Sequence, residues 1–136
     1  MIWQVGETLK RLSKGTITPQ LLQQYAEASG DKNPLHLDDK FAKQVGFPSV
    51  IAHGMLSMAF MADHVLMNFP EAEFRLLRLK ARFRKVTFPG DEITCGGSIK
   101  KISSEGKITL ALWMRNQAGH DTTDGEAEVV VAASTS

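Results

Sequence analysis

The sequence predicts an α+β fold in which an antiparallel β-sheet wraps around one central α-helix. Three observations predict it. The run 54–69 is apolar on nearly every side, which implies a helix enclosed by the rest of the chain. From Phe74 onward the apolar period becomes two, the mark of half-buried strands. A shorter segment, 8–17, mixes Leu9, Leu12 and Ile17 with Lys10, Arg11 and Lys14 and reads as a first strand at an edge, where lysines discourage unwanted pairing.

Taken in order, Thr18-Pro19 opens a helix as N-cap and first helical residue, and Gly30 ends it. Tyr25 in that helix is read as core, with a part in orienting a site as the alternative. Asn33-Pro34 opens a second helix that carries Leu35, Leu37, Phe41, Ala42 and Val45 and stops at Gly46. Asp38 and Asp39 fall in its early turns, where carboxylates are favoured. The enclosed helix follows; at about sixteen residues, with Asp63 and His64 inside it, it is too short and too charged to span a bilayer. Its methionines fit either ordinary core packing or adaptable packing near a flexible acyl chain. Leu77, Leu79, Ala81 and Phe83 then alternate with Arg78, Lys80, Arg82 and Arg84. Pro89-Gly90-Asp91 turns the chain into a strand bearing Ile93, Cys95, Gly97 and Ile99, with Gly96-Gly97 as a bulge or a close approach. Ser103–Gly106 is a hairpin turn, Ile108–Met114 the next strand, Asn116–Gly119 another turn, and Ala127, Val129 and Val131 mark the last strand before a small polar tail. A strand, an enclosed helix and an antiparallel meander make a hot-dog fold.

Composition bounds the function. The 136 residues form a single domain, 1–136, with 43% hydrophobic and 23% charged residues. A formal net charge of +1 gives no general reason to expect nucleic acid or membrane as partner. The lone Cys95 excludes an intrachain disulfide, and no Cys/His cluster has structural-zinc spacing, so no metal is expected. The N-terminal segment has no basic stretch followed by an apolar one, so a cytoplasmic location is expected. Arg75, Arg78, Lys80, Arg82, Arg84 and Lys85 crowd one strand with no acid among them. They are either a site for phosphate groups or an acidic carrier, or a solvated outer face. The absence of interleaved aromatics argues against nucleic acid.

The chemistry concentrates in residues 25–54. Asp31 and His36 stand five residues apart across a turn. Placed in the first turn of a helix, His36 would lean neutral and able to take a proton. Further on, Ile51-Ala52-His53-Gly54-Met55 leads into the enclosed helix, whose first free N–H groups could meet a developing negative oxygen. The plainer reading is that Gly-Asp and Asn-Pro are ordinary turn material.

The stretch 25–36, Tyr-Ala-Glu-Ala-Ser-Gly-Asp-Lys-Asn-Pro-Leu-His, resembles the signature of the MaoC-like (R)-specific enoyl-CoA hydratases and their dehydratase relatives. Ala52-His53-Gly54-Met55 is similar to that family's second motif and Pro89-Gly90-Asp91-Glu92-Ile93 to a third. The family often has Pro-Val shortly before Pro-Gly-Asp, where this chain has Val86-Thr87. The resemblance implies the hot-dog fold, a homodimer, and reversible hydration of a trans-2-enoyl-CoA to an (R)-3-hydroxyacyl-CoA. It implies Asp31 and His36 as the acid/base pair, their division of labour open, with the Gly54 N–H as oxyanion donor. Asn33, His53, Arg82 and Arg84 are candidate substrate contacts. Neither metal nor redox cofactor is implied; coenzyme A belongs to the substrate. A (3R)-hydroxyacyl-[acyl-carrier-protein] dehydratase, a thioesterase and a non-catalytic acyl-CoA-binding module are the alternatives.

Overall fold

A computed structural model of the chain describes residues 3–132. Its elements run β1 (Leu12–Thr16), α1 (Pro19–Ser29), a short 3-10 turn (Pro34–His36), α2 (Asp39–Gln44), α3 (Gly54–Asn68), β2 (Phe74–Phe83), β3 (Glu92–Ile102), β4 (Lys107–Arg115) and β5 (Asp121–Val131). The strands form one five-stranded sheet in the order β1-β3-β4-β5-β2, every neighbouring pair antiparallel. The sheet curls around α3, as a hot-dog fold requires. The tail expected after the last strand lies, beyond Ala132, outside the described residues.

The order corrects the simple meander. β3, β4 and β5 are consecutive neighbours, but β2 pairs with β5 at the far edge. The flank of β3 is taken by β1, and the Pro89-Gly90-Asp91 turn is tied to that side. Gly90 N–H donates to the Ile17 carbonyl at 2.7 Å, and Ile17 N–H to the Asp91 carbonyl at 2.8 Å. The chain from β2 to β3 therefore crosses the width of the sheet.

The helix expected from Pro34 to Gly46 is also broken. Asn33 caps only a single 3-10 turn, its Oδ1 accepting from Leu35 N–H at 3.0 Å. Asp38, in an extended conformation, then caps α2 by accepting from the N–H groups of Lys40 and Phe41. A carboxylate that satisfies two orphan donors ends one helix and starts another.

α3 is enclosed on three sides rather than all round. Met55, Ala59, Asp63 and Met67, spaced by four, form an exposed stripe. Its buried face packs at the N-terminal half, through Leu56 and Phe60, with Leu22, Ala42, Val50, Ile93 and Met114. At the C-terminal half, Met61, Val65 and Phe69 pack with Ile99, Leu110, Leu112 and Val129 of the sheet. Cys95 is buried in the first cluster, and burial pushes its thiol up to about 11.

Glycines let helix and sheet close up. A Cβ on Gly125 would lie 2.5 Å from the Lys80 carbonyl oxygen and 2.9 Å from Met61 Cε, so β5 accepts α3 only because that atom is missing. On the outer face the Trp113 ring lies over Gly96. Gly96 therefore serves close approach; the register shift of β3 falls between Ile99 and Lys101.

Opposite charges face one another across the outer surface. Arg78, Lys80 and Arg82 on β2 stand in register with Glu128, Glu126 and Asp124 on β5. Arg78 reaches Glu128 at 3.6 Å and Arg82 reaches Asp124 at 3.4 Å. These exposed pairs keep the surface soluble and add little stability each.

His64 and Asn68 clamp the chain before β1 to α3. His64 Nε2–H donates to the Lys10 carbonyl at 2.8 Å, while Asn68 accepts from Lys10 N–H at 2.9 Å and donates to its carbonyl at 3.1 Å. Burial lowers the His64 pKa below 6.5, outweighing the bond to Lys10. Below about pH 6.5 the unfolded imidazole then binds a proton that the folded one resists, so stability is full above that pH and falls as acid is added. The melting temperature should drop between about pH 7.5 and about pH 5, and less steeply in His64→Gln; equal slopes would dismiss His64 as the source. Gly125→Ala should cost about 1–3 kcal/mol of unfolding free energy in urea titration.

Candidate active site

A chain of short-range side-chain bonds shapes the turn after α1. Gly30 takes the left-handed conformation at φ 79°, its N–H closing the helix on the Ala26 carbonyl. Ser29 Oγ accepts from Asp31 N–H at 3.1 Å, and Asp31 Oδ1 from Asn33 N–H at 3.3 Å. With the Asn33 cap, each polar side chain replaces a backbone partner two residues on, so the bend is written locally.

The loop before α3 docks on this bend. Ile51 N–H donates to the Leu35 carbonyl at 3.2 Å, and His36 Nδ1 lies 2.8 Å from the Ile51 carbonyl. A carbonyl only accepts, so Nδ1 carries a proton, and the tautomer this bond selects has its lone pair on Nε2. With one 3-10 turn behind it, His36 owes this tautomer to the carbonyl rather than to a helix dipole.

His53 holds the arrangement from beneath. It is 1% exposed, and its Nε2–H donates to the Asp31 carbonyl at 3.1 Å. Its ring stacks on His36 at 3.9 Å between centroids, and the Tyr25 ring meets it edge-on at 4.8 Å. Burial lowers the His53 pKa, the bond to the Asp31 carbonyl opposes this, and the His36 ring lowers it further. His53 is thus a neutral spacer between the Asp31 turn, His36 and the start of α3.

Asp31, His36 and His53 each bring one polar atom within 4.8 Å of the other two. That spacing could hold a shared divalent ion. For His53 to bind it, the ring would have to release the Asp31 carbonyl or use Nδ1, which is buried without a partner. The same spacing suits a carboxylate and an imidazole acting on one water.

A cleft of about 290 Å³ opens beside His36. Its walls include Gly54 and Ser57 of α3, Phe83 at the end of β2, Arg84–Thr87 beyond it, and Thr123 of β5. Among the described residues no acceptor takes the Gly54 N–H, the first of α3. The Phe83 ring packs so closely that a Cβ on Gly54 would lie 3.2 Å from its Cζ.

The structure brings together some of the expected residues and separates others. His36 and Gly54 both line the cleft, and the exposed Asp31 brings a carboxylate oxygen within 4.8 Å of a His36 ring nitrogen. Asn33 uses its Oδ1 as a cap and is not among the cleft's walls, and His53 is sealed beneath His36. Arg84 lines the cleft while bonding Asp124, whose carboxyl it holds below the usual range. Arg82 borders a separate, larger hollow of about 500 Å³ over β2 and β5, which holds neither Asp31 nor His36. Ser57, Phe83 and Thr123 are site residues the sequence did not single out. Ser57 could have been found as a hydroxyl on the buried face of an apolar helix. Thr123 could have been found by running the alternation of Ala127 and Val129 backwards.

The fold and sequence have counterparts among known proteins. The (R)-specific enoyl-CoA hydratase of Aeromonas caviae is 32% identical over 106 residues, 77% of this chain and 79% of the relative. The solved (R)-hydratase from A. caviae superposes with a TM-score of 0.88 at 29% identity, covering 97% of this chain and 99% of that one. The peroxisomal multifunctional enzyme type 2 of Mus musculus is 42% identical over 66 residues, but those are 48% of this chain and the match spans 9% of that enzyme. Three of the first four curated relatives are matched over less than a quarter of their length, and the other over 52%. The model of the MaoC like domain matches residues 3–128, which take in the Asp31 turn, α3 and nearly all of the sheet; the chain belongs to that family.

Proposed function

We propose that the protein is an (R)-specific enoyl-CoA hydratase, adding water reversibly across a trans-2-enoyl thioester. The observation that carries the reading is the approach of the Asp31 carboxylate to within 4.8 Å of the His36 imidazole, which lines a cleft together with Gly54, whose N–H has no acceptor among the described residues. A water between the two side chains can donate one O–H to each. His36 Nε2, its lone pair fixed by the Ile51 carbonyl, takes a proton as the water oxygen bonds to the β-carbon. The electrons move through the α-carbon to the thioester oxygen, which the Gly54 N–H stabilises. One such donor is worth about 3 kcal/mol in the transition state. Nε2–H then protonates the α-carbon, so the proton removed from water ends on carbon and the site returns to its starting form. Asp31 orients the water throughout.

Two relatives support the reading by name, the hydratase of Aeromonas caviae and the (R)-specific enoyl-CoA hydratase of Rhodospirillum rubrum, 28% identical over 118 residues. The carrier is a finer matter. A relative from Arabidopsis thaliana, 32% identical over 90 residues, is named 3-hydroxyacyl-[acyl-carrier-protein] dehydratase, and Arg84 and Lys85 at the cleft would suit either the phosphates of coenzyme A or an acidic carrier protein. We propose coenzyme A as the carrier, and a homodimer formed along β2. Among the described residues β2 is an edge strand with no partner on its outer side, and it bears the exposed Leu77 and Phe83, an arrangement that attracts a second strand. No helix among the described residues is long and apolar enough to cross a membrane. We retain a cytoplasmic location as the expectation.

Hydration of crotonyl-CoA is read as the fall in enoyl-thioester absorbance. Asp31→Asn and His36→Ala should each lower kcat by at least about a hundredfold with circular dichroism unchanged. Near-normal turnover in either variant would end the assignment. Thiol release without loss of enoyl absorbance would point to a thioesterase instead. His53→Ala should lower kcat more than it raises KM, because His53 positions Asp31 and His36 without facing the cleft; a rise in KM alone would restore it as a substrate contact. Size-exclusion chromatography with light scattering should give twice the chain mass, and charged substitution of Leu77 should give the monomer.

A further inference from the structure

The cleft beside His36 has an open end and a closed one. Phe83, Arg84, Lys85 and Val86 at its mouth are exposed, whereas Ser57 and Thr123 are buried, with exposures of 5% and 1%. Ser57 lies on α3 and Thr123 on β5, so the closed end is the seam between helix and sheet. Along that seam the two elements keep step. Met61 follows Ser57 by one helical turn, and Gly125 follows Thr123 by one strand repeat, each on the same face as the residue before it. The two meet: a Cβ on Gly125 would lie 2.9 Å from Met61 Cε, so the methionine methyl fills the place of the missing side chain. Val65 and Phe69 continue the packing with Ala127 and Val129. Met61 is 1% exposed, and neither it nor Gly125 lines the cleft. The opening therefore ends at Ser57 and Thr123, and Met61 is the next side chain along the seam.

An enoyl-CoA has two ends of unequal size. The coenzyme is far too large for a cleft of about 290 Å³ and must lie at the exposed mouth. With the thioester oxygen at the Gly54 N–H, the closed end is left to the alkyl tail, which then runs along the seam toward Met61. Methylenes beyond those the cleft holds meet a side chain already packed against the sheet, and a close-packed interior has no spare room for them. We propose that Met61 is the stop that sets acyl length, making this a site for short-chain enoyl thioesters. The proposal rests on the cleft being the acyl site of the activity proposed above.

Binding of saturated acyl-CoA tests the stop without turnover. The four further methylenes of octanoyl-CoA, if buried in hydrocarbon, would tighten it over butyryl-CoA by about two hundredfold. Isothermal titration of the wild type should instead give affinities within about tenfold of each other, because those methylenes are kept out of the seam. Met61→Ala deletes the side chain beyond Cβ and should tighten octanoyl-CoA by at least about tenfold relative to butyryl-CoA. A general loss of packing would weaken both ligands alike and leave the ratio where it was. Met61→Leu, with as many side-chain atoms, should hold the wild-type ratio, and Met61→Val should move it part of the way should the alanine variant fail to fold. A wild type that binds octanoyl-CoA more than about tenfold tighter, or folded Met61→Ala and Met61→Val variants with an unchanged ratio, overturns the proposal; if the wild type still hydrates crotonyl-CoA, the hydratase reading survives. A wild type that neither binds acyl-CoA nor hydrates crotonyl-CoA overturns both.

Discussion

The hydrogen bond from His36 Nδ1–H to the Ile51 carbonyl joins two stretches of chain fifteen residues apart, and much of the site follows from it. It chooses the tautomer and leaves one nitrogen bare on a ring that lies within reach of Asp31. It also fixes the loop that delivers His53 and Gly54. The His36–His53 stack and the bond from His53 to the Asp31 carbonyl close the arrangement into a ring of contacts. Each member holds the next, so His36 and the Asp31 turn stand on the folded backbone rather than on the freedom of two side chains. Preorganisation of this kind is how an enzyme avoids reordering itself at the moment of reaction.

The fold supplies the other half. α3 is held against the sheet by apolar packing along its buried face, and Gly125 lets the two surfaces approach. The N-terminus of α3 is thereby brought to the cleft, where its first N–H has no acceptor among the described residues. The polar clamp of His64 and Asn68 keeps the opposite end of the helix in register with the chain entering β1. The charged outer surface has no share in this; its ladder from β2 to β5 neutralises itself.

The sequence made the local features legible and left the long-range ones hidden. Thr18, Gly30 and Asn33 act through residues two to four positions away, and each does what its chemistry suggested. Asp38 was misread because a carboxylate early in a helix and a carboxylate capping a new helix look alike in sequence. The strands were visible from their period of two, but pairing is non-local. Nothing in β2 alone says that it lies beside β5 rather than β3. The nearness of Asp31 and His36 was visible from the turn residues, whereas Ser57 and Thr123 reach the cleft only because separate elements meet. His53 looked like a contact for substrate, and only packing shows that it lies beneath His36.

The crossing of β2 to the far edge has a consequence for how the molecule tolerates breakage. The Asp31 turn follows β1 and α1 at one margin of the sheet, while Phe83 and Thr123 come from the β2–β5 margin at the other. The cleft is walled on one side by His36 and the loop that docks on its bend, and on the other by the end of β2 and by β5. Loosening of the β2–β5 margin would therefore open it from one side, and activity would register that damage ahead of any loss of helix or strand.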